Sequence, residues 1–231
     1  MLTLGVSTLA VTVRAMAGKS PVAAATAVAA LALTPDDVRS DAIAPAILKL
    51  ALGATNCAIR QDLVEKPETL TVIDYSKPST EPRLWVLDLT NGNVLFEERV
   101  AHGQGSGDNL ATKFSNNPDS HQSSLGLFLT GDTYSGKHGY SLRLHGLEPG
   151  VNDRAMERAI VIHGASYVSG ASVATLGRLG RSWGCPALAT GIIRPVIDRI
   201  KGGSLMFAYY PDQNWLASSK FLNDCSRTPT N

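Results

Sequence analysis

The chain has 231 residues, of which 44% are hydrophobic and 18% are charged. This length and apolar content predict a folded globular protein with a sizeable core and argue against intrinsic disorder. The formal net charge is +1 and no basic tract is present, which argues against nucleic acid as the main partner. Three cysteines without a Cys-x-x-Cys pair predict no zinc site, and the chemistry inferred below requires neither a metal nor an organic cofactor.

Residues 1–33 are expected to be a signal peptide. Residues 22–33 form an apolar run of twelve residues that follows Lys19. Such a run is short for a membrane span and suits the hydrophobic part of a signal peptide, most clearly with a start at Met16. The alternative is an Ala-rich helix of the folded protein. We favour export to the periplasm or cell envelope, with no stable membrane span after processing.

Residues 34–66 are predicted to form a helical N-terminal segment. Thr34 is a candidate N-cap, followed by Pro35 and two acidic residues. Apolar residues then continue at helical spacing to Leu52, with Pro45 as a break or kink.

Two cysteines lie outside the main domain. Cys57 belongs to the N-terminal segment and Cys225 to residues 213–231, which are predicted to be a polar C-terminal tail. In an exported protein they could form a disulfide; the alternative is two unrelated free thiols.

Residues 67–212 are predicted to be the main domain, because β-branched residues and period-two patterning begin there. The predicted strands are Leu70–Asp74, Leu84–Leu89, Val94–Val100, Leu125–Thr130, Tyr140–Leu144, Ile160–Ile162 and Ser204–Tyr210. Asn91-Gly92 predicts a hairpin between the second and third strands. The predicted helices are Asn152–Arg158 and Ile192–Ile200, and a long polar loop covers residues 102–123. Many short strands with few helices predict a mostly β or α+β domain, built as a β-sandwich or a small barrel.

The clearest chemistry lies between residues 160 and 187. A β-branched run ends in His163-Gly164, and nineteen residues after the histidine comes Ser-Trp-Gly-Cys-Pro, from Ser182 to Pro186. A thiol needs a neighbouring imidazole to supply thiolate at neutral pH. We therefore predict Cys185 as nucleophile and His163 as base. Main-chain N–H groups of Gly184 and Cys185 are the oxyanion candidates.

The same residues resemble a known family. His163-Gly164 followed by Ser182-x-Gly184-Cys185 is similar to the signature of YkuD-type L,D-transpeptidases, which is His-Gly, a spacer and Ser/Thr-His-Gly-Cys. Further segments similar to the murein L,D-transpeptidase catalytic domain branch are Gly177–Ala187, Val100–Gly103, Phe114–Asn116, Ser123–Gly126 and Tyr140–Leu144. The resemblance spans roughly residues 70–210 and implies a YkuD-like catalytic domain.

This resemblance implies acyl transfer on murein stem peptides. Cys185 would attack the carbonyl of the third residue of a tetrapeptide stem and expel the terminal D-Ala, and an amine of another stem would then form a cross-link. If water resolves the acyl-enzyme, the protein is an L,D-carboxypeptidase or another murein cysteine hydrolase. A second alternative is an inactive murein-binding protein. Nothing in the sequence indicates an oligomeric state.

The sequence departs from the family signature at two positions. Trp183 stands where a second His is usual, and Ala187 stands where an Arg or Asn is common. Arg178 and Arg181 are candidates to bind stem carboxylates in place of that missing charge.

The remaining site candidates are weaker. His145, in a second His-Gly pair, competes with His163 as base or lines the substrate site. Tyr134 and Trp183 are candidates to pack on substrate, with core packing as the alternative. Gly164 and Ser182 are expected to help orient His163, through a backbone carbonyl of the motif or the Ser182 hydroxyl. The other histidines, expected to be structural or solvated, are His102, His121 and His138.

Overall fold

A computed structural model describes residues 31–225. Apart from its last three residues, the predicted signal peptide, residues 1–33, lies outside the described residues. A 3-10 turn at Pro35–Asp37 comes first, and helix α1 follows at Pro45–Arg60. Of the two possibilities considered at Pro45, the structure shows the break: Pro45 begins α1 as a separate helix rather than kinking a continuous one. Proline fits the first helical turn because its missing N–H would have no partner there.

Eight strands form a single mixed sheet. Their bounds are β1 Thr69–Asp74, β2 Leu84–Asp88, β3 Val94–Glu98, β4 Gly126–Gly136, β5 Gly139–Gly146, β6 Val161–Gly164, β7 Ala187–Leu188 and β8 Leu205–Tyr209. The spatial order is β3-β2-β1-β8-β4-β5-β6-β7. The pairs β1–β8 and β6–β7 are parallel, whereas the other neighbours are antiparallel.

The two edges of this sheet come together. Just after β3, Ala101 pairs with Ala187 of β7, and Gly103 then pairs with Ser182. These bridges close the sheet almost into a barrel, with few short helices around it. The mostly β, α+β prediction is therefore confirmed, and of the two layouts considered the molecule adopts the barrel-like one.

The core joins the sheet to two of the helices. Every residue of β1 and of β2 is buried. Helix α1 packs on β1 and β8, and the buried face of the later helix α3, Ile193–Ile200, packs on β1 and β5. Helix α2, Gly170–Leu176, was not predicted; its N-cap is Ser169, whose hydroxyl accepts the Ser172 N–H.

The predicted helix at Asn152–Arg158 is wrong, because these residues form consecutive turns. The buried Asn152 amide donates to the carbonyls of Leu125 and Leu127 and accepts the N–H of Glu148. These bonds anchor the segment to the start of β4. The turns end at Ala159, which has a positive φ of 53°.

The described part of residues 213–231 is helical. Helices α4, Gln213–Ser218, and α5, Lys220–Asn223, bury Trp215 and Phe221 respectively. A disulfide joins Cys57 of α1 to Cys225, with Cα atoms 5.5 Å apart. Between residues 31 and 225, no helix has the length and apolar character needed to cross a membrane.

Candidate active site

Cys185 and His163 open into one cleft of about 300 Å³. Its lining residues are Lys137, His138, His163, Tyr167, Arg181, Ser182, Trp183 and Cys185. The strand register explains this meeting. His163 is aligned with Ala187 of β7, and its N–H points to the Pro186 carbonyl at 3.4 Å. Cys185, the candidate nucleophile, therefore lies two residues before Ala187, the strand neighbour of His163.

His163 is a buried histidine at the end of β6. Its Nδ1 lies 3.0 Å from the Gly164 carbonyl, so Nδ1 carries the proton and donates it. Among residues 31–225 no group hydrogen-bonds its Nε2, which is left as an acceptor. Burial lowers the pKa of His163, and the Gly164 bond opposes that effect. The imidazole is therefore neutral at neutral pH, as a general base must be.

Cys185 is the one free cysteine of the chain and is half-buried. Its Sγ accepts the Val161 N–H at 3.5 Å and lies 3.7 Å from the Ala159 carbonyl. Burial raises the pKa of the Cys185 thiol, while the Val161 N–H and the charge of Arg158 work to lower it. The resting group is a neutral thiol, so a base is needed to activate it.

Ser182 shapes the loop that carries Cys185. Its hydroxyl donates to the Cys185 carbonyl at 2.6 Å and accepts the Gly184 N–H at 3.1 Å. Because the Gly184 N–H is used in this way, it is not the oxyanion donor that the sequence suggested. In the described part of the chain the main-chain N–H of Cys185 has no hydrogen-bond partner, and it remains the oxyanion candidate.

Gly184 and Gly164 are both required by close packing. Gly184 has φ +119°, and a Cβ there would lie 2.8 Å from the Gln122 carbonyl oxygen. The Gly184 carbonyl accepts the hydroxyl of Ser123 at 3.0 Å. At Gly164 a Cβ would lie 2.9 Å from Ile193 of α3. The carbonyl of Gly164, and not the Ser182 hydroxyl, orients His163.

The two arginine candidates share one carboxylate. Asp108 lies 2.9 Å from Arg181 and 3.8 Å from Arg178. Arg181 lines the cleft, whereas Arg178 does not. Asp108 can balance only one of these two positive charges, and its shorter contact is with Arg181.

Two further candidates lie away from the cleft. His145 is an exposed residue of β5 paired with Leu129, four residues beyond the position that faces His163. The Tyr134 ring contacts the Arg143 guanidinium at 4.6 Å. His145 as base and either residue as part of the cleft wall are therefore not supported. Trp183 does line the cleft: it is 70% exposed and stacks on His121 with ring centroids 4.7 Å apart.

The sequence analysis missed His138. Its ring lies against that of His163, with centroids 4.5 Å apart, and its charge works to lower the pKa of His163. Strands β4 and β5 are longer than predicted, and their two-residue connection brings Lys137 and His138 to the cleft. A usable signal was the Gly136-Lys-His-Gly139 sequence, since glycines around two residues are typical of tight hairpins.

A buried network supports the same loop from behind. Arg83 is fully buried and lies 2.7 Å from Nδ1 of His102, whose Nε2 lies 3.3 Å from the Gly107 carbonyl. Burial, together with the charge of Arg83, lowers the pKa of His102 to about 4. His102 is thus a neutral structural histidine, and its carbonyl accepts the Ser182 N–H at 3.0 Å.

A family model, L,D-transpeptidase catalytic domain (YkuD_2), matches residues 39–209. The chain belongs to this L,D-transpeptidase family. The resemblance inferred from the His-Gly and Ser-x-Gly-Cys segments is thereby confirmed. No curated protein matches the chain.

Solved structures similar to this L,D-transpeptidase family member include three bacterial proteins. An L,D-transpeptidase from Mycobacterium smegmatis is 16% identical, with a TM-score of 0.39, over 62% of this chain and 59% of its own. L,D-transpeptidase 3 from Mycobacterium tuberculosis is 11% identical, with a TM-score of 0.41, over 62% of each chain. The helical cell shape determining protein Pgp2 from Campylobacter jejuni is 14% identical, with a TM-score of 0.40, over 64% of this chain and 49% of its own. The chain thus covers less than two thirds of each of these structures.

Proposed function

We propose that the protein is a cysteine-dependent L,D-transpeptidase that acts on murein stem peptides. The observation that carries this proposal is the shared cleft of Cys185 and His163, in which Nδ1 of His163 is held by the Gly164 carbonyl. That bond holds the proton on Nδ1 and leaves Nε2 of the neutral imidazole unprotonated, as a general base requires. Nucleophile, base and orienting acceptor are the three parts that thiol catalysis needs.

The first half-reaction forms an acyl-enzyme. Nε2 of His163 takes the proton of the Cys185 thiol as sulfur attacks the carbonyl carbon of the third stem residue. The main-chain N–H of Cys185 donates to the resulting oxyanion. The tetrahedral intermediate collapses when the bond to the D-Ala nitrogen breaks, and His163 returns the proton to that leaving nitrogen. A thioester to Cys185 and free D-Ala are the products.

The second half-reaction releases the enzyme. An amine of another stem attacks the thioester carbonyl and passes a proton to His163. The carbon–sulfur bond breaks, the thiolate takes the proton back, and the new amide is a cross-link. Positioned proton transfer of this kind is worth about 10²–10⁴-fold in rate.

Localisation in the periplasm or cell envelope, behind a cleaved signal peptide within residues 1–33, is part of the same proposal. The Cys57–Cys225 disulfide supports it, because disulfides persist in oxidising compartments. We also propose residues 67–212 as the catalytic domain, with 34–66 as its helical N-terminal segment and 213–231 as its C-terminal tail. Helix α1 shares the main core, which explains why the family match begins before residue 67.

The test is incubation of the full chain with a disaccharide-tetrapeptide from murein, followed by mass spectrometry. A dimer that has lost one D-Ala is expected, and Cys185→Ala and His163→Ala should abolish it. His145→Ala is the matched control, because this histidine lies outside the cleft and should keep activity.

The other outcomes separate the alternatives. Tripeptide without dimer would replace the proposal by an L,D-carboxypeptidase that uses the same pair. No product and no acyl-enzyme mass, with substrate binding equal in Cys185→Ala, would overturn catalysis in favour of a murein-binding protein.

A further inference from the structure

Arg158 stands out among the cations around Cys185. Its guanidinium makes four hydrogen bonds to the segment 115–124. The acceptors are the Ser115 carbonyl at 2.6 Å, the Ser124 hydroxyl at 2.6 Å, the Gln122 carbonyl at 2.6 Å and the Ser120 hydroxyl at 3.2 Å. All four are neutral oxygens. The side chain is therefore fixed in place while its positive charge stays uncompensated.

Three other arginines differ in this respect, whereas Arg83 and Lys137 also have no ion pair within residues 31–225. Arg181 and Arg178 are ion-paired with Asp108, and Arg154 is paired with Glu157 at 2.8 Å. Over residues 31–225 Arg158 has no ion pair with a carboxylate. A half-buried cation without a counter-charge interacts strongly with a nearby group that can become an anion, because solvent screens the pair weakly.

The thiol of Cys185 is such a group. Nη2 of Arg158 lies 3.3 Å from the point where a Cβ on Gly184 would be, directly before Cys185. From the other direction, Sγ of Cys185 lies against the backbone of Ala159 and Val161, which follow Arg158 in sequence. The guanidinium is thus placed under the loop that carries the thiol.

We propose that Arg158 is a positioning residue for Cys185, which supplies the fixed positive charge that favours its thiolate. This deepens the proposed function, on which the catalytic use of the thiolate rests. Ala187 contributes no charge on the far side of Cys185, and Asp108 offsets that of Arg181. Arg158 is then an unpaired cation, fixed by four hydrogen bonds, that compensates the negative sulfur when His163 removes its proton.

Other titratable groups also face the thiol. They are His163, His138, Lys137 and Arg181 in the cleft wall, and the tyrosines Tyr75 and Tyr167. Burial raises the pKa of both tyrosines to about 12, so they are neutral at working pH. The charge of Arg158 raises the stability of the thiolate, and it acts to lower the pKa of Cys185 against the effect of burial.

The experiment is the rate of iodoacetamide alkylation as a function of pH. Cys185 is the one free thiol, so alkylation reports on it alone. Arg158→Gln should move the profile to higher pH and slow alkylation at pH 7 by about 3- to 10-fold, with the high-pH plateau unchanged. Arg158→Lys, which keeps the charge, should restore most of the rate. Arg154→Gln, in the same turns but exposed and ion-paired, should match the unmodified chain.

A second pair of variants leaves the arginine in place. Ser124→Asp puts a carboxylate against Nη1 of Arg158 and should move the profile in the same direction as Arg158→Gln. Ser124→Ala removes the hydroxyl without adding charge and should leave the profile unchanged. Ser124→Asp also decides the question if Arg158→Gln does not fold.

Several results would overturn the role of Arg158. If the pH profile of alkylation shifted equally in Arg158→Gln and Arg158→Lys, the role of Arg158 would be only to hold segment 115–124 in place by hydrogen bonds. An unchanged profile in Ser124→Asp would remove the electrostatic coupling. Because alkylation needs no murein substrate, a failed transpeptidase assay with an intact alkylation shift would reject the proposed function and leave this inference standing.

Discussion

Seven residues in and beside the cleft fall into two groups that are held in different ways. The fixed group is Ser182, Gly184, Cys185 and His163, whose positions are set by hydrogen bonds to backbone or buried partners. The exposed group is Lys137, His138 and Trp183, and two of its members are placed by ring contacts alone. Reacting atoms gain rate from fixed geometry, whereas contacts that select a ligand can tolerate movement. We therefore expect the fixed group to govern kcat and the exposed group to govern KM.

The largest effect should come from Gly184→Ala. A Cβ would meet the Gln122 carbonyl at 2.8 Å on a residue with φ +119°, so the loop must shift and take Cys185 with it. We expect kcat to fall at least ~100-fold, about 2.7 kcal/mol of barrier, with little change in KM. Steady-state kinetics on the tetrapeptide substrate measures both constants.

The matched control is Gly177→Ala. Gly177 also has a positive φ, of 66°, but a Cβ there meets nothing within 4 Å. It should lose stability of about 1 kcal/mol and keep its kcat. If the two variants had the same kcat, the fixed group would not depend on its backbone geometry.

An effect of similar size, on stability rather than on rate, is expected below pH 6.5. The pKa of His102 is lowered to about 4 in the folded protein, so the unfolded chain binds the extra proton first as pH falls. The stabilisation is complete above pH 6.5 and is lost as pH drops to about 4, by about 3 kcal/mol in all. Urea denaturation at pH 7 and pH 4.5 should show this loss, and His102→Gln should flatten it.

His145→Gln serves as the reference for that measurement, since His145 is exposed. It should follow the pH dependence of the unmodified protein. If the free energy of unfolding of His102→Gln fell as steeply with decreasing pH as that of the unmodified protein, the titrating group would be another residue. The buried network of Arg83 and His102 would then not account for the pH dependence.

The smallest effect should be that of Trp183→Ala. The indole of Trp183 is 70% exposed and stacks on His121. Its removal takes away an aromatic surface on which substrate can pack, but it breaks no hydrogen bond of the loop that carries Cys185. We expect KM to rise by about 3- to 10-fold, about 1 kcal/mol of aromatic contact, with kcat within twofold. Tyr134→Ala, outside the cleft, should change neither constant. A fall in kcat for Trp183→Ala with KM unchanged would contradict the division into two groups.

Regular patterns in the sequence were enough to predict most of the sheet. Period-two apolar residues gave β1, β2 and β3, and Asn91-Gly92 gave the turn between the last two, where Gly92 has φ +74°. The segment at Asn152–Arg158 misled the prediction because its spacing suits a helix. The buried amide of Asn152 decides otherwise, and burial is not visible in spacing alone.

The site was predictable where it depends on neighbours in sequence. The backbone register of β6 and β7 brings His163 and Cys185 to one cleft, because β6 ends in His163-Gly164 and β7 begins two residues after Cys185. Contacts made by loops were not predictable. The ion pair of Arg181 with Asp108 and the hydrogen bonds of Arg158 depend on how residues 102–124 fold, and that loop has no periodic pattern. The proximity of His138 to His163 depends on the length of the β4–β5 hairpin.

The loop that carries Cys185 also closes the sheet, through the pairs Gly103–Ser182 and Ala101–Ala187. A descendant that gave up catalysis would still need Ser182 and Gly184 to keep that closure. Retention of those two residues in a relative is therefore weak information about its activity. The sulfur of Cys185 makes only two long contacts, at 3.5 Å and 3.7 Å, and Nε2 of His163 has no hydrogen-bond partner between residues 31 and 225. Under the proposed function, we expect these two atoms to distinguish an active relative from an inactive one.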